Sequence, residues 1–155
     1  MKTISPEITL KRRIWEACMQ KQQALAATVK EAVTQAQEAA NEEKGSLEEK
    51  FESFREQLIR DRDMYARKLG EHLAAIEALR YVEVDKIFSH VQQGALVVTD
   101  KQKLYISISL GEIKVDGDAY IAISTQSPLY IQMEGKRAGE SFEFRGINHH
   151  IREVY

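Results

Sequence analysis

The first half of the chain spaces its apolar side chains three or four residues apart. From Glu7 to Glu43 the sequence is rich in Ala, Gln, Glu and Lys, all of which favour helix. The apolar positions that recur with the helical period are Ile14, Cys18, Leu25, Val29, Ala32, Ala36 and Ala39. The pattern predicts one long helix whose apolar seam shrinks to alanine toward its end, so that a second helix can approach it closely.

A glycine and a serine then interrupt the helical pattern. Gly45 supplies a left-handed cap, and Ser46 with Glu49 forms a capping box that starts a second helix. The second apolar set is Leu47, Phe51, Phe54, Leu58, Tyr65, Leu69, Leu73 or His72, Ile76 and Leu79, and the helix is expected to end at about Arg80. Because the connection is so short, the two helices are predicted to be antiparallel neighbours. About 35 residues per helix at about 1.5 Å each give an arm of about 50 Å, most of which is expected to project.

The second half of the chain has a different pattern, which begins at Gly94. Residues 81–93 are interpreted as a connection with a short helical turn around Val84–Val91. The β-branched and aromatic runs that follow are Ala95–Thr99, Lys103–Ser109, Ala119–Ser124, Ser141–Arg145 and Asn148–Val154, and Gly and Asp turns separate them. Ser127 and Pro128 are expected to start a short helix that runs to about Met133, where Gly135 ends it.

These elements define an α+β protein with two parts. Residues 1–80 are predicted to form an antiparallel two-helix coiled-coil hairpin, and residues 81–93 connect it to the rest. Residues 94–155 are predicted to form a small antiparallel β-sheet domain with one short helix.

Composition narrows the classes of protein that fit this outline. The formal net charge is -2, and residues 1–80 hold 14 basic and 14 acidic side chains, so no strongly basic nucleic-acid surface is indicated. Cys18 is the single cysteine, which rules out an internal disulfide. The first residues lack an apolar signal core, and no stretch approaches the roughly 18 apolar residues of a membrane span. We therefore expect a cytoplasmic protein with no membrane contact.

Residue types that carry chemistry do not assemble into an active site along the chain. Ser127 has no catalytic partner in the sequence pattern and is interpreted as a helix start. His149 and His150 are neighbours on a predicted strand, so their side chains are expected on opposite faces. The protein is therefore not expected to be an enzyme in its own right.

Two features at the base of the predicted arm have simpler roles. Trp15 is expected to pack between the arm and the β domain. Lys11, Arg12 and Arg13 form a short basic run that is open to RNA, to an acidic partner or to solvent.

Two segments resemble a known family. The run Ile123-Ser124-Thr125-Gln126-Ser127-Pro128-Leu129 is followed by Gly135-Lys136 and Gly139-Glu140, and the predicted hairpin tip reads Gly45-Ser46-Leu47-Glu48-Glu49-Lys50. The first resembles the I-S-x-x-S-P-[IL], G-K and G-D segments of the bacterial transcript-cleavage factors GreA and GreB. The second resembles their G-D-L-S-E-N tip. The order of the two parts is also similar, so the resemblance covers nearly the whole chain.

The resemblance implies both a fold and a function. The β domain would be FKBP-like, without implying isomerase activity, and would dock at the rim of the RNA polymerase secondary channel. The finger would pass down the channel, where acidic tip residues help to hold a Mg²⁺ ion that the polymerase shares. The implied docking residues are Ser127, Pro128, Leu129, Gly135 and Lys136, and the implied finger-tip residues are Glu42, Glu43, Ser46, Glu48, Glu49 and Lys50. The protein would be a monomer without a cofactor of its own, and would contact nascent RNA only indirectly.

The tip departs from the family at two positions. Ser46 stands where the family has aspartate, and Lys50 stands where it has asparagine, whereas Glu49 matches the family glutamate. A hydroxyl caps a helix but is a poor substitute for an anionic ligand, so Glu49 is the expected Mg²⁺ contact. Glu48 adds a carboxylate about 100° away around the helix. A capping box alone also accounts for Ser46 and Glu49 without any metal.

Two functional hypotheses follow from this sequence. The first is a polymerase regulator that either stimulates transcript cleavage weakly or occludes the channel without cleavage. The second is a coiled-coil interaction module or holdase that does not act on polymerase.

Overall fold

The computed structural model describes residues 3–42 and 49–155, with side chains omitted for residues 49–51. The described helices are α1 (Pro6–Glu42), α2 (Glu49–Arg80) and α3 (Pro128–Met133). The described strands are β1 (Leu96–Thr99), β2 (Lys103–Ile106), β3 (Gly111–Val115), β4 (Asp118–Ile123), β5 (Ser141–Phe144) and β6 (Ile147–Val154). The α+β prediction is confirmed, because a long helical hairpin region precedes a small sheet. The predicted Gly45 cap and the capping box of Ser46 with Glu49 lie outside the described residues and side chains.

The chain divides into two compact units that do not follow the ends of the helices. One unit comprises Met1–Gln20 and Glu77–Tyr155, and the other comprises Lys21–Ile76. The beginning of α1 and the end of α2 therefore belong to the same unit as the sheet.

Two polar contacts define how the helices pair within Lys21–Ile76. The side-chain amide of Gln22 lies 2.9 Å from Nδ1 of His72 and donates to the His72 carbonyl at 3.2 Å. Farther along, Arg62 donates to Oε1 of Gln37 at 2.6 Å. Because the partner's residue number falls as the α1 residue number rises, the helices run antiparallel.

The apolar seam of this unit differs in detail from the predicted one. Within Lys21–Ile76, the buried residues of α1 are Gln22, Ala26, Ala36 and Ala40. The expected seam positions Leu25, Phe54 and Leu73 are wrong, since their side chains are exposed. The expected alternative, His72, is correct. Small alanines let the helices approach closely, and the Gln22–His72 pair occupies the position at which the sequence pattern suggested leucine.

The sheet is mixed rather than antiparallel. In the described part of the chain its order is β3-β4-β2-β1-β6-β5, and β2 pairs with β4 in parallel while the other neighbours are antiparallel. The prediction of a purely antiparallel sheet is therefore wrong. After β2 the chain moves out to the edge as β3, and the turn at Asp116 and Gly117 returns it as β4. That return places β4 beside β2 and in the same direction.

Two local predictions in this region also need correction. The sequence pattern does not predict β3, because Gly111 and residues 116–118 favour turns, and a five-residue strand that buries only Ile113 and Val115 carries a weak signal. The helical turn expected around Val84–Val91 is absent from the described backbone of this segment. Instead the N–H of Val91 donates to the Lys136 carbonyl at 2.8 Å, and the N–H of Gly135 donates to the Val91 carbonyl at 2.9 Å.

The main hydrophobic core lies between the sheet, α3 and the connecting segment. Its buried members are Phe88, Val91, Ala95, Val97, Leu104, Ile106, Tyr130, Met133, Phe142 and Ile151. Phe88 and Val91 come from the segment that the sequence suggested as a connection, and Tyr130 and Met133 come from α3. Phe88 and Val91 therefore anchor this segment to the core, although the segment contains little regular structure.

Gly94 is required where this segment enters the sheet. Its φ is +91°, and a Cβ at this position would lie 2.8 Å from the Glu83 carbonyl oxygen and 3.1 Å from the Phe88 ring. Gly94 also donates its N–H to the Ile106 carbonyl at 2.7 Å. The backbone of residue 94 therefore passes too close to the connection for any side chain.

We predict that Gly94→Ala destabilises the fold more than the matched change Gly139→Ala. Gly139 has a similar φ of +94°, but a Cβ added there would meet nothing within 4 Å. Gly139→Ala should therefore lower the free energy of unfolding only by the cost of an alanine at positive φ, about 1–2 kcal/mol. Gly94→Ala adds a steric clash of about 1–3 kcal/mol. Urea unfolding of both variants measures the difference, and equal midpoints would show that the Glu83 carbonyl yields without cost.

Candidate functional site

The segment predicted to dock on a partner folds around α3. Ser127 is extended, with φ -65° and ψ 136°, and Pro128 occupies the first turn, where its missing N–H costs nothing. The Ser127 carbonyl accepts the N–H of Ile131 at 3.2 Å, while its hydroxyl makes no capping bond. The predicted helix start is confirmed, with the backbone rather than the serine hydroxyl closing the first turn.

The helix presents different chemistry on its two sides. Tyr130 and Met133 are buried in the core, and Leu129 is partly buried against it. On the opposite side Pro128 is exposed, and Ile131 is 59% exposed. We call the surface formed by Pro128 and Ile131 the α3 outer face. Its two apolar side chains are held in position by the buried residues beneath them, and the polar side chain of Gln132 is exposed beside them.

The end of α3 is anchored to the connecting segment. Gly135 has a φ of +76°, which turns the chain after the helix, and the main chain of Gly135 and Lys136 bonds to Val91. Of the five predicted docking residues, Pro128 and Gly135 are exposed, and Ser127, Leu129 and Lys136 are half-buried. The fold thus places all five at the two ends of one six-residue helix. Leu129 packs against the core and contributes little to the exposed surface.

The predicted finger-tip set is only partly described. Glu42 is the last residue of α1 and is exposed. Glu49 and Lys50 belong to the first turn of α2, but their side chains are not described, and Glu43, Ser46 and Glu48 lie outside the described residues. The expected contact of Glu49 with a shared Mg²⁺ therefore stays a prediction. Elsewhere in the described chain no group of three His, Cys, Asp or Glu side chains is placed to hold a metal ion.

The two adjacent histidines lie on opposite faces of β6, as predicted. His149 is buried and stacks on Phe142 with ring centres 4.9 Å apart and planes 3° from parallel. Its Nδ1 is buried, with no hydrogen-bond partner among the described atoms. His150 is exposed, with Nδ1 3.1 Å from the Ser141 hydroxyl.

The surroundings of His150 resemble a hydrolytic triad only superficially. Oδ1 of Asp100 accepts the main-chain N–H of His150 at 2.9 Å and does not orient the imidazole ring. This hydrogen bond, with help from Lys101, lowers the pKa of Asp100 to about 2. The Asp100 carboxylate binds the main chain of His150 and does not orient its imidazole ring. Ser141 and His150 therefore lack the aspartate contact that a hydrolytic triad uses to activate its serine.

The basic run at the start of α1 is not an open cationic patch. Lys11 is fully buried, and its ammonium donates to the carbonyls of Lys86 at 2.6 Å and Tyr155 at 3.3 Å. It also lies 4.6 Å from the centre of the Phe88 ring. Burial lowers the pKa of Lys11 to about 8, and the negative charge of Glu83 opposes that shift. Sequence reasoning missed this lysine, although it lies three residues before Ile14 on the buried side of the helix.

The two arginines and the tryptophan nearby make contacts within the same unit. Nε of Arg12 lies 2.6 Å from Asp85, and Arg13 lies 2.5 Å from Asp116. Trp15 donates from its indole nitrogen to the Leu79 carbonyl at 2.8 Å. The basic run was expected to face RNA, an acidic partner or solvent. RNA or an acidic partner would have to compete with the contacts that Arg12 and Arg13 make with Asp85 and Asp116.

Comparison with known proteins adds no family or fold assignment. No protein-family model matches the chain, and searches of curated proteins and of solved structures likewise give no match. Among the described helices, none combines the length and apolar character needed to cross a bilayer.

We predict that Lys11 makes stability depend on pH between about 8 and 10.5. In that window the unfolded chain keeps the Lys11 proton that the folded chain has lost. The free energy of unfolding therefore rises as the pH is raised from about 8 to about 10.5. The shift corresponds to about 3 kcal/mol across the window. Urea unfolding of the wild type and Lys11→Met at several pH values measures the difference between the two profiles.

The exposed Lys30 provides the matched control for this experiment. Lys30→Met should leave the pH profile of stability close to that of the wild type. Parallel profiles for the wild type and Lys11→Met would contradict the prediction.

Proposed function

We propose that this protein is a Gre-like regulator of RNA polymerase that docks through its sheet unit and inserts its helical hairpin into the secondary channel. The observation that carries the proposal is the placement of the Ser127-Pro128-Leu129 run. It forms the start of a short helix that is anchored from below and apolar on its outer face. An apolar outer face on a rigid support is suited to bind another protein.

The helical hairpin supports the second part of the proposal. The contacts from Gln22 to His72 and from Gln37 to Arg62 pair the helices in antiparallel fashion. Buried alanines at positions 26, 36 and 40 keep the pair slender. We propose that this hairpin is a coiled-coil finger of a size that a narrow channel can admit.

The proposal also covers the fold family, the location, the stoichiometry and the metal of this protein. We take the sheet with α3 on one face to be FKBP-like, and the protein to act in the cytoplasm as one protomer per polymerase. It would have no active site of its own, and any Mg²⁺ at Glu49 would be shared with the polymerase.

The chemical consequence depends on the tip sequence. Mg²⁺ prefers anionic oxygen ligands, and the Ser46 hydroxyl supplies none. A finger that retains Glu49 alone would either assist cleavage weakly or occupy the channel without assisting it.

We predict that the purified protein binds a backtracked elongation complex and competes with a genuine cleavage factor. Ile131→Glu should weaken that binding by about tenfold or more, because it places a charge in an apolar contact. Fluorescence anisotropy of the labelled protein, with added GreA as competitor, measures both effects.

The matched control is Ile4→Glu. Ile4 is also about half exposed, at 49%, but it lines a cleft with Asp116 beside β3. The sheet order places β3 and β5 at opposite edges, and α3 packs against β5, so Ile4 lies far from the α3 outer face. Failure of the wild type to bind any polymerase would refute the proposal, and capture of a different protein would favour the interaction-module hypothesis.

We predict that Ser46→Asp raises transcript cleavage in the backtracked complex if the missing carboxylate is the principal defect of the tip. Ser46→Asn is the matched control, since Asn and Asp are similar helix N-caps and only Asp adds charge. Cleaved RNA resolved on a gel measures the rate with each variant. No gain for Ser46→Asp over Ser46→Asn would mean that the tip has diverged beyond this one position.

A further inference from the structure

An exposed arginine just beyond α3 contacts a hydroxyl instead of a carboxylate. Arg137 lies two residues after Gly135, and its Nη1 donates to the Ser89 hydroxyl at 3.4 Å. Both residues are exposed. We call these two side chains the Arg137–Ser89 pair.

The pair lies on the same side of the sheet as the α3 outer face. Ser89 belongs to the connecting segment, whose Phe88 and Val91 are buried in the core shared with α3. The main chain around Arg137 is tied to that segment, since His90 forms an isolated antiparallel bridge with Arg137. Ile131 and Arg137 are six residues apart, so their Cα atoms are at most about 22 Å apart. One interface of about 800 Å² per partner spans that distance.

The charge of Arg137 is not neutralised in the way that several other charges of its unit are. Among the residues that the structure describes, the Arg137 guanidinium forms no ion pair. Oε1 of Glu140 accepts the main-chain N–H of Arg137 at 3.0 Å, so this carboxylate binds the backbone and not the guanidinium. The ion pairs that other basic residues of the unit form are Arg12–Asp85, Arg13–Asp116, Arg80–Glu77 and Lys101–Asp100.

The pair offers hydrogen-bond donors that match a carboxylate. A guanidinium carries five N–H groups in a planar fork, and the contact with Ser89 engages one of them. The Ser89 oxygen accepts that bond, and its O–H meets no acceptor in the described part of the chain, so the hydroxyl can donate to a ligand. A carboxylate placed across the pair receives bonds from the fork and from the hydroxyl. Hydrogen bonds to an ionised group are about twice as strong as neutral ones.

The charges around the pair favour a single carboxylate over a polyanion. Glu134 and Glu140 lie in the same short stretch as Lys136 and Arg137, so the formal charges there cancel. Nucleic-acid binding depends instead on several cations that neutralise successive phosphates. We propose that the Arg137–Ser89 pair receives a carboxylate side chain of the protein that covers the α3 outer face. This inference rests on the proposed function, in which that protein is RNA polymerase.

Binding to the backtracked elongation complex tests this contact. Arg137→Ala should weaken binding about tenfold, and Ser89→Ala about threefold, because each change removes donors to the bound carboxylate. Arg137→Lys should restore only part of the affinity, since an ammonium keeps the charge but lacks the planar fork. Added salt should weaken the wild type more steeply than Arg137→Ala. Fluorescence anisotropy of the labelled full chain measures each affinity.

The matched control is Arg152→Ala, which should bind like the wild type. Arg152 is exposed on β6, and its neighbour Ile151 is buried in the core shared with α3, so the Arg152 side chain faces the opposite side of the sheet. Far-ultraviolet circular dichroism checks that every variant is folded. Unchanged binding by Arg137→Ala would overturn the carboxylate contact and leave docking through the α3 outer face in place.

A pair of peptides tests the same contact without the polymerase. Acetyl-Leu-Glu-Leu-amide and acetyl-Leu-Gln-Leu-amide differ only in the charged group. At up to about 10 mM, the Glu peptide should shift the amide NMR signals of Ser89 and Arg137 in the full chain more than the Gln peptide does. Arg137→Ala should abolish that difference.

The two experiments separate this inference from the proposed function. If the wild type binds no polymerase, the proposed function fails, and the peptide pair alone decides the carboxylate contact. A preference for the Glu peptide then supports the contact, and equal shifts or none overturn it. Binding of a single-stranded oligouridine that Arg137→Ala abolishes would assign the pair to phosphate and would also overturn the proposal.

Discussion

A buried ammonium group holds the base of α1 against the sheet unit. Lys11 is fully buried, and its Nζ is satisfied by the carbonyls of Lys86 and Tyr155 and by the face of Phe88. An ammonium removed from water without partners would cost far more than a small fold can lose. These three contacts tie the helix start to the connecting segment and to the end of the last strand.

The rest of the sheet unit depends on the path of that connecting segment. Phe88 contacts the Lys11 ammonium and also enters the main core, and Val91 follows it into the same core. Close passage of the backbone at Gly94 then brings the chain into β1. Val91 finally bonds to Gly135 and Lys136, so the position of α3 depends on the same segment. The apolar outer face that carries the proposed function is held by contacts that begin at the helix base.

Local pattern was sufficient for most elements and for one feature of the candidate site. The helical period predicted both long helices, and the run from Ser127 to Gly135 correctly indicated a short helix with its start and end. Strand alternation placed His149 and His150 on opposite faces. β3 was not predicted, because the sequence of a charged five-residue strand with only two buried residues differs little from that of a turn. The parallel pairing of β2 with β4 was not predicted either, because it depends on the position of β3 at the edge of the sheet.

The sequence alone determined the class of fold and the order of its parts, because these depend on residue identity and on short-range periodicity. Only the tertiary structure decided which polar side chains are buried. Lys11 and Gln22 read as solvent-facing residues, yet Lys11 is enclosed by carbonyls and an aromatic ring, and Gln22 meets His72. Their partners lie 50 or more positions away along the chain. Burial of a polar group depends on such distant partners, and no local pattern contains them.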